Sequence, residues 1–265
     1  MLGKKKIVFK NFLQKFSFRR NLQEIRKSKI VWHFCTPKSA STYFAKYIQK
    51  TLEINKLNSK SFQISSMHEF GERYQVIDKS LLANLIVSDK NFLHVVYRSH
   101  TIASSDLLNV ISPENHNIII QYRPIYETII SLCNFISNSP QTIWSSTLKL
   151  KWKSFSNEQK VERLIDYYLP WHIQFLQGWL NQDKFRINFF PMKDIIKDPN
   201  ESMKLCFKNY DLSFSKAEIH FSNEEIMFNK NHNIEKIILT ENHKNKIKDF
   251  VERNDFLNQN LISYL

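Results

Sequence analysis

The stretch 29-KIVWHFCTPKSASTYFAKYIQKTL-52 reads as a buried strand, a short turn and an amphipathic helix in immediate succession. Residues 30–35 are an apolar run rich in β-branched and aromatic side chains, the pattern of a strand covered on both faces. Thr36-Pro37 stops it. Phe44, Ala45, Ile48 and Leu52 then fall on one face of a 3.6-residue period. A strand that feeds a helix through a tight turn aims the helix's first unpaired N–H groups above the sheet edge, which makes an anion site. Lys38 adds positive charge there, and Ser39, Ser41 and Thr42 add hydroxyl donors suited to phosphate or sulfate oxygens. The turn has no glycine, so it is not the GxxxxGK[ST] loop of common nucleotide hydrolases. Taken alone, these residues also suit an ordinary strand-turn-helix with a lysine in its turn.

Two further strand ends carry chemistry. Residues 92–97 form a second apolar strand that ends in Arg98-Ser99-His100, and in open α/β sheets reacting groups sit beyond the carboxyl ends of strands. Residues 118–122 form a third, with Arg123-Pro124 as its turn and Ile125, Ile129, Leu132, Cys133 and Ile136 as the stripe of the following helix. Pro124 suits a first helical position, where its missing N–H costs nothing. Ser131 lies eight residues after Arg123, a little over two turns, and so returns to the arginine's side of that helix. An arginine fork is a strong phosphate ligand.

The rest of the chain supplies scaffold. Residues 62–66 suit a short strand, 78–87 a helix, and 157–180 either two helices or one kinked at Pro170. Residues 185–190 suit a core strand. Asp198, Pro199 and Glu201 then mark a helix start as cap, first helical residue and third residue past the cap. A last helix is expected over 240–251, with Ile247, Phe250 and Val251 inward. Residues 138–156 are basic and aromatic without clean period, and Trp144 and Trp152 are candidates to shape a substrate pocket. Met67-His68-Glu69-Phe70-Gly71 places a histidine beside a carboxylate, a candidate general base or an exposed loop.

The 265 residues suffice for one large α/β domain with a substantial core. The 42% hydrophobic and 14% aromatic content is that of a globular chain. A net charge of +13 favours anionic partners, although abundant lysine spread over solvated faces accounts for much of it. Cys35, Cys133 and Cys206 show no regular spacing and sit in apolar runs, so buried free thiols in a reducing, cytoplasmic setting are expected. Histidines are scattered without metal-ligand spacing. Residues 1–28 are rich in Lys and Arg with Phe and Leu between them, which suggests a basic extension able to touch an anionic surface; residues 29–265 then form a single α/β domain.

The motifs resemble those of the PAPS-dependent sulfotransferases, where PAPS is 3′-phosphoadenosine 5′-phosphosulfate. CTPKSASTYF is similar to their 5′-phosphosulfate loop TxPKSGTTxW, with Tyr43 in the place of the aromatic residue that packs on adenine and Ala40 where the family commonly has glycine. Tyr97-Arg98-Ser99-His100 resembles the K-[ST]-H-L-P segment whose histidine removes the acceptor's proton. Arg123 and Ser131 keep the spacing of the 3′-phosphate motif RxPxxxxxS. Residues 192–199 are similar to YEDLKxDP, with Phe190-Pro191 in place of its tyrosine, and Phe228-Asn229-Lys230 stands for the RKG-type loop that closes on the 3′-phosphate.

The resemblance implies a fold related to the P-loop kinases: a central parallel sheet flanked by helices. It implies PAPS as sulfuryl donor, no metal, and a hydroxyl-bearing (or amine) acceptor. Lys38, Ser39, Ala40, Ser41, Thr42 and Tyr43 would bind the 5′ side of the donor; Arg123, Ser131, Phe228 and Lys230 would bind its 3′-phosphate and adenine. His100 and Lys38 would be the catalytic pair. Two alternatives stand beside this expectation. A nucleotide-dependent phosphotransferase of the same fold would bind ATP and not the adenosine bisphosphate. A non-catalytic module for anions or nucleic acid would show steeply salt-dependent binding; no nucleic acid is expected, since the aromatics follow core periodicity.

Overall fold

The computed structural model describes residues 23, 25–56, 59–63, 93–138, 152–210, 237–255 and 261–264. At its centre five strands run parallel in the order β2-β3-β1-β4-β5: β1 Lys29–Cys35, β2 Ser59–Gln63, β3 Leu93–Ser99, β4 His116–Tyr122 and β5 Ile187–Pro191. The α/β class with a parallel sheet is as expected. β2 begins three residues before the expected short strand, and β5 is shifted two residues along.

Helices cover both faces, and the sheet's two-residue alternation decides which. Trp32 and Phe34 of β1 and Ile118 and Ile120 of β4 face one core, which they share with α3 (Ile125–Asn138) and α4 (Asn157–Leu180). Val31, Ile119 and Val95 face the other, with α1 (Ser41–Ile54) and α6 (Pro199–Phe207). The helix after β1 therefore lies on one face and the helix after β4 on the other. A crevice opens between these adjacent strand ends, the switch point at which open α/β sheets bind ligands.

Local signals start the helices. Asp198 accepts from Glu201 N–H at 3.0 Å and Pro199 opens α6, as expected. Ser156 and Gln159 form a capping box on α4, and Thr240 and His243 form another on α7 (Glu241–Asn254). Two short helices, α2 (Ser105–Val110) and α5 (Met192–Lys197), complete the described set. Helix α3 begins one residue later than expected: Pro124 is its cap, and its carbonyl accepts from Thr128 N–H at 2.9 Å.

Helix α4 runs unbroken through Pro170. Pro170 and Asp166, whose carbonyl loses its donor, are both on the exposed face, where the freed group is open to solvent. Leu164, Tyr168, Leu169, Phe175 and Trp179 on the opposite face are fully buried and hold the helix to the sheet. Trp152 is also core: its indole N–H donates to Ser137 Oγ at 3.0 Å, which removes it from the candidates for a substrate pocket.

The N-terminal edge is fastened by a buried histidine. His116 Nδ1 accepts from the Trp32 indole and from Ser112 N–H, both at 3.1 Å, and Nε2–H donates to the Ile25 carbonyl at 3.0 Å. Ile25 is thereby held in the core beside β1. The three cysteines are buried and free, as expected. No helix among the described residues is long and apolar enough to cross a membrane.

Candidate anion-binding and active site

The turn after β1 is built on two residues of left-handed backbone, Lys38 at φ 59° and Ala40 at φ 60°. Alternating the hand of the backbone curls the chain so that successive N–H groups converge on one point, a nest for an anion. Ala40 is the cap of α1 and offers no side-chain bond to it, so the helix's first N–H groups stay directed at the crevice. An alanine in this conformation is strained by about 1–2 kcal/mol where glycine would not be.

A buried polar lattice holds the curl in place. Ser39 Oγ–H donates to Thr36 O at 2.6 Å. Gln121 Nε2 donates to Ser39 O, and Gln121 Oε1 accepts from His33 Nε2–H at 2.8 Å. Thr36 N–H donates to Gln121 O at 2.9 Å, and Thr36 Oγ1 accepts from Arg123 N–H at 3.1 Å. His33, Thr36, Ser39 and Gln121 are all fully buried. Because Ser39 donates its only hydroxyl proton inward, hydroxyl donation to an anion falls to the half-buried Ser41 and Thr42.

The lattice brings Arg123 to Lys38. One guanidinium N–H of Arg123 (Nη1) lies 3.3 Å from Lys38 O, while its Nε pairs with Glu127 at 3.1 Å. The Lys38 ammonium rests 4.1 Å from the centre of the Phe135 ring on α3. Burial, and secondarily the Arg123 charge, lower the Lys38 pKa from its ordinary value. Two cations thus share a partly buried crevice whose backbone donors point the same way. Ser131 is half-buried one turn before Phe135, on the face of α3 toward which Lys38 reaches. This donor set fits a polyanion with phosphate-like groups: a fork, an ammonium, two hydroxyls and a helix N-terminus.

His100 follows β3 directly, on the other side of β1 from Arg123. Its Nδ1 lies within hydrogen-bond distance of the Cys35 carbonyl, and the Cys35 sulfur is 3.5 Å from the same nitrogen. A carbonyl can only accept, so Nδ1 carries the proton and the lone pair resides on Nε2. In this tautomer Nε2 is the nitrogen that can accept a proton. Tyr43 stands in the first turn of α1 with its ring 6.2 Å from that of Tyr47, and burial raises its phenol pKa.

Lys38, Ser39, Ala40, Ser41, Thr42, Tyr43, Arg123, Ser131 and His100, all singled out in the sequence, lie on three strand-end segments and the two helices that follow them. Phe228 and Lys230 lie outside the described residues, as do Trp144, the segment 67–71 and the helix expected over 78–87. Sequence reasoning passed over Thr36, Gln121 and His33. Their only signal was polarity inside two otherwise apolar strands, an inconsistency that buried partners must resolve. A groove of about 600 Å³ bordered by Arg26, Lys27, Ser112 and Glu114 lies at the opposite, N-terminal end of β1 and β4 and takes no part in this crevice.

No family model and no curated protein sequence matches the chain. Solved structures do. Mouse sulfotransferase SULT7A1 complexed with PAP is similar to it over 92% of this chain and 92% of that one, at 12% sequence identity and a TM-score of 0.54. Identity that low carries the fold alone. The chain is a parallel α/β protein with the sulfotransferase-like fold.

Proposed function

We propose that the protein transfers a sulfuryl group from PAPS to a hydroxyl or amine of an acceptor. The observation that carries this reading is the meeting of Arg123 and Lys38, two cations 85 residues apart, over a left-handed loop at the switch point of the sheet. The likeness to a sulfotransferase solved with PAP adds weight to the choice of donor. On this reading Lys38, Ser41, Thr42 and the backbone of Ser39 and Ala40 bind the 5′-phosphosulfate, and Tyr43 packs on adenine. Arg123 and Ser131 bind the 3′-phosphate, with Phe228 and Lys230 as further ligands.

When bound, PAPS supplies the sulfuryl group and a phosphate leaving group. The chain's own residues orient and move protons. His100 Nε2 takes the acceptor's proton, its ring fixed by Nδ1–H on Cys35 O. Lys38 stabilises the charge that develops on the leaving oxygen. Its lowered pKa accords with an ammonium that gains most when an anion arrives beside it. Buried free thiols accord with a cytoplasmic setting, and Ile25, packed in the core beside β1, accords with one domain that starts a few residues before the expected residue 29.

Calorimetric titration with 3′-phosphoadenosine 5′-phosphate, with ATP and AMP as controls, tests the donor. Selective binding is expected, with a loss of at least about tenfold in Arg123→Ala, since a charge-assisted bidentate contact contributes about 1.5–3 kcal/mol. Equal affinity for all three nucleotides, or an unaffected Arg123→Ala, would refute the assignment.

A further inference from the structure

Against His100, helix α4 presents three residues, Tyr168, Trp171 and His172, that the proposed reaction does not use. Trp171 meets the His100 ring edge-to-face, with centroids 6.4 Å apart and planes at 83°. The indole is itself braced on both sides: it stacks on Phe175 at 5.3 Å and lies 5.8 Å from the Tyr168 ring. Tyr168 is fully buried and its hydroxyl is 2.6 Å from Nδ1 of His172, one turn on and also fully buried. His172 Nε2 is a buried nitrogen without a hydrogen-bond partner among the described residues.

A polar pair inside an apolar helix face is costly unless its members bond each other, and here they do, which leaves the Tyr168 ring fixed in one position. The Tyr168 phenol is pushed well above its usual range by burial and then by the nearby Cys35 thiol, while burial lowers His172 to about 3. Both groups are therefore neutral throughout the working range. The His100 ring that Trp171 meets is held at Nδ1 by Cys35, whose carbonyl and sulfur both touch that nitrogen.

We propose that Trp171, braced by Phe175 and by the buried Tyr168–His172 pair, forms a positioning assembly for His100, in which the indole sets the plane of the imidazole so that Nδ1–H stays on the Cys35 carbonyl. The assembly carries no charge. It can orient the imidazole without adding a second ion beside it. Its part in catalysis rests on His100 being the base; its hold on the ring does not.

The test is long-range ¹⁵N–¹H NMR of the histidine rings in the full-length protein, with His100 assigned by His100→Ala. In the wild type His100 is expected as a single Nδ1–H tautomer. Tyr168→Phe deletes the bond to His172 that fixes the Tyr168 ring beside the indole, and Trp171→Leu removes the indole itself; each is expected to give a mixture of tautomers. Affinity for 3′-phosphoadenosine 5′-phosphate should stay within about twofold in both, and Trp171→Phe should restore the single form. Unchanged His100 resonances in Tyr168→Phe and Trp171→Leu overturn the proposal. Mixed tautomers in these variants, alongside full sulfuryl transfer by His100→Ala, would support the positioning assembly and remove the base role instead.

Discussion

Replacing Gln121 by leucine is the most informative single perturbation of the loop. Leucine nearly fills the same volume and suits a β-strand, so the backbone of β4 should persist. What disappears is the donor to Ser39 O and the acceptor for His33 Nε2–H, both in fully buried surroundings. Leaving a buried polar group without its partner costs about 1–3 kcal/mol each, so two orphans cost about 2–6 kcal/mol. The added apolar burial offsets about 1 kcal/mol of this, for a net of about 1–5 kcal/mol. The loss should not be only global. Ser39 stands between the two left-handed residues, and with its carbonyl released the loop can relax toward ordinary backbone. Urea unfolding should show a lower midpoint at unchanged slope. Calorimetry on protein still folded at low temperature should show affinity for 3′-phosphoadenosine 5′-phosphate reduced by at least about tenfold, the penalty of re-forming a pre-organised site. A variant that loses stability but binds as tightly as the wild type would show that the curl is held by something other than Gln121.

Three further outcomes are expected. Ala40→Gly relieves about 1–2 kcal/mol of left-handed strain and gives back about 0.4–1 kcal/mol through a freer unfolded chain, for a net gain of about 0.5–1 kcal/mol in urea unfolding, whereas Ala40→Val should lose stability. Lys38, whose folded pKa lies below 10.5, binds fewer protons folded than unfolded between the two values. Stability from this group therefore rises with pH across that window, while anion binding, which needs the ammonium, weakens over it; proton uptake on binding, measured in buffers of different ionisation enthalpy, checks this, and none at alkaline pH would contradict it. His116→Phe abandons two donors and the Ile25 carbonyl, and thermal unfolding should report a loss of at least about 3 kcal/mol, with no change in nucleotide affinity because the site lies at the other end of the strands.

Mutating the proposed chemical groups separates binding from turnover. Lys38→Ala should lower the rate of sulfuryl transfer far more than it lowers acceptor binding, and His100→Ala should abolish most of the rate, as loss of a general base typically costs about 10²–10⁴-fold. Full rates in both would falsify the roles given to them.

What the chain wrote in local sequence was its elements and their ends. Apolar runs of strand length, the stripe from Ile125 to Ile136, and Asp198-Pro199 with Glu201 all depend on neighbours within one or two turns, and the structure reproduces them. The resemblance of three short motifs in order also made the parallel α/β class and the strand-end residues legible. Beyond this reach, local pattern was silent. That Pro170 would not break α4 depended on which face of the helix met the sheet. Trp152 resembled a surface aromatic until its indole met Ser137.

The site itself belongs to tertiary structure. Strand order puts β1 between β3 and β4, and only then do Thr36 and the Arg123 backbone, 87 residues apart, share a hydrogen bond, Gln121 reach Ser39 across 82 residues, and His100 meet Cys35 across 65. A polar residue in an apolar strand announces that a partner must exist; which partner it is depends on register between strands that the sequence separates by dozens of residues. The physical reason is that caps and periodicities are energies of near neighbours, whereas a buried polar lattice is stable only when the whole sheet has brought its members into place.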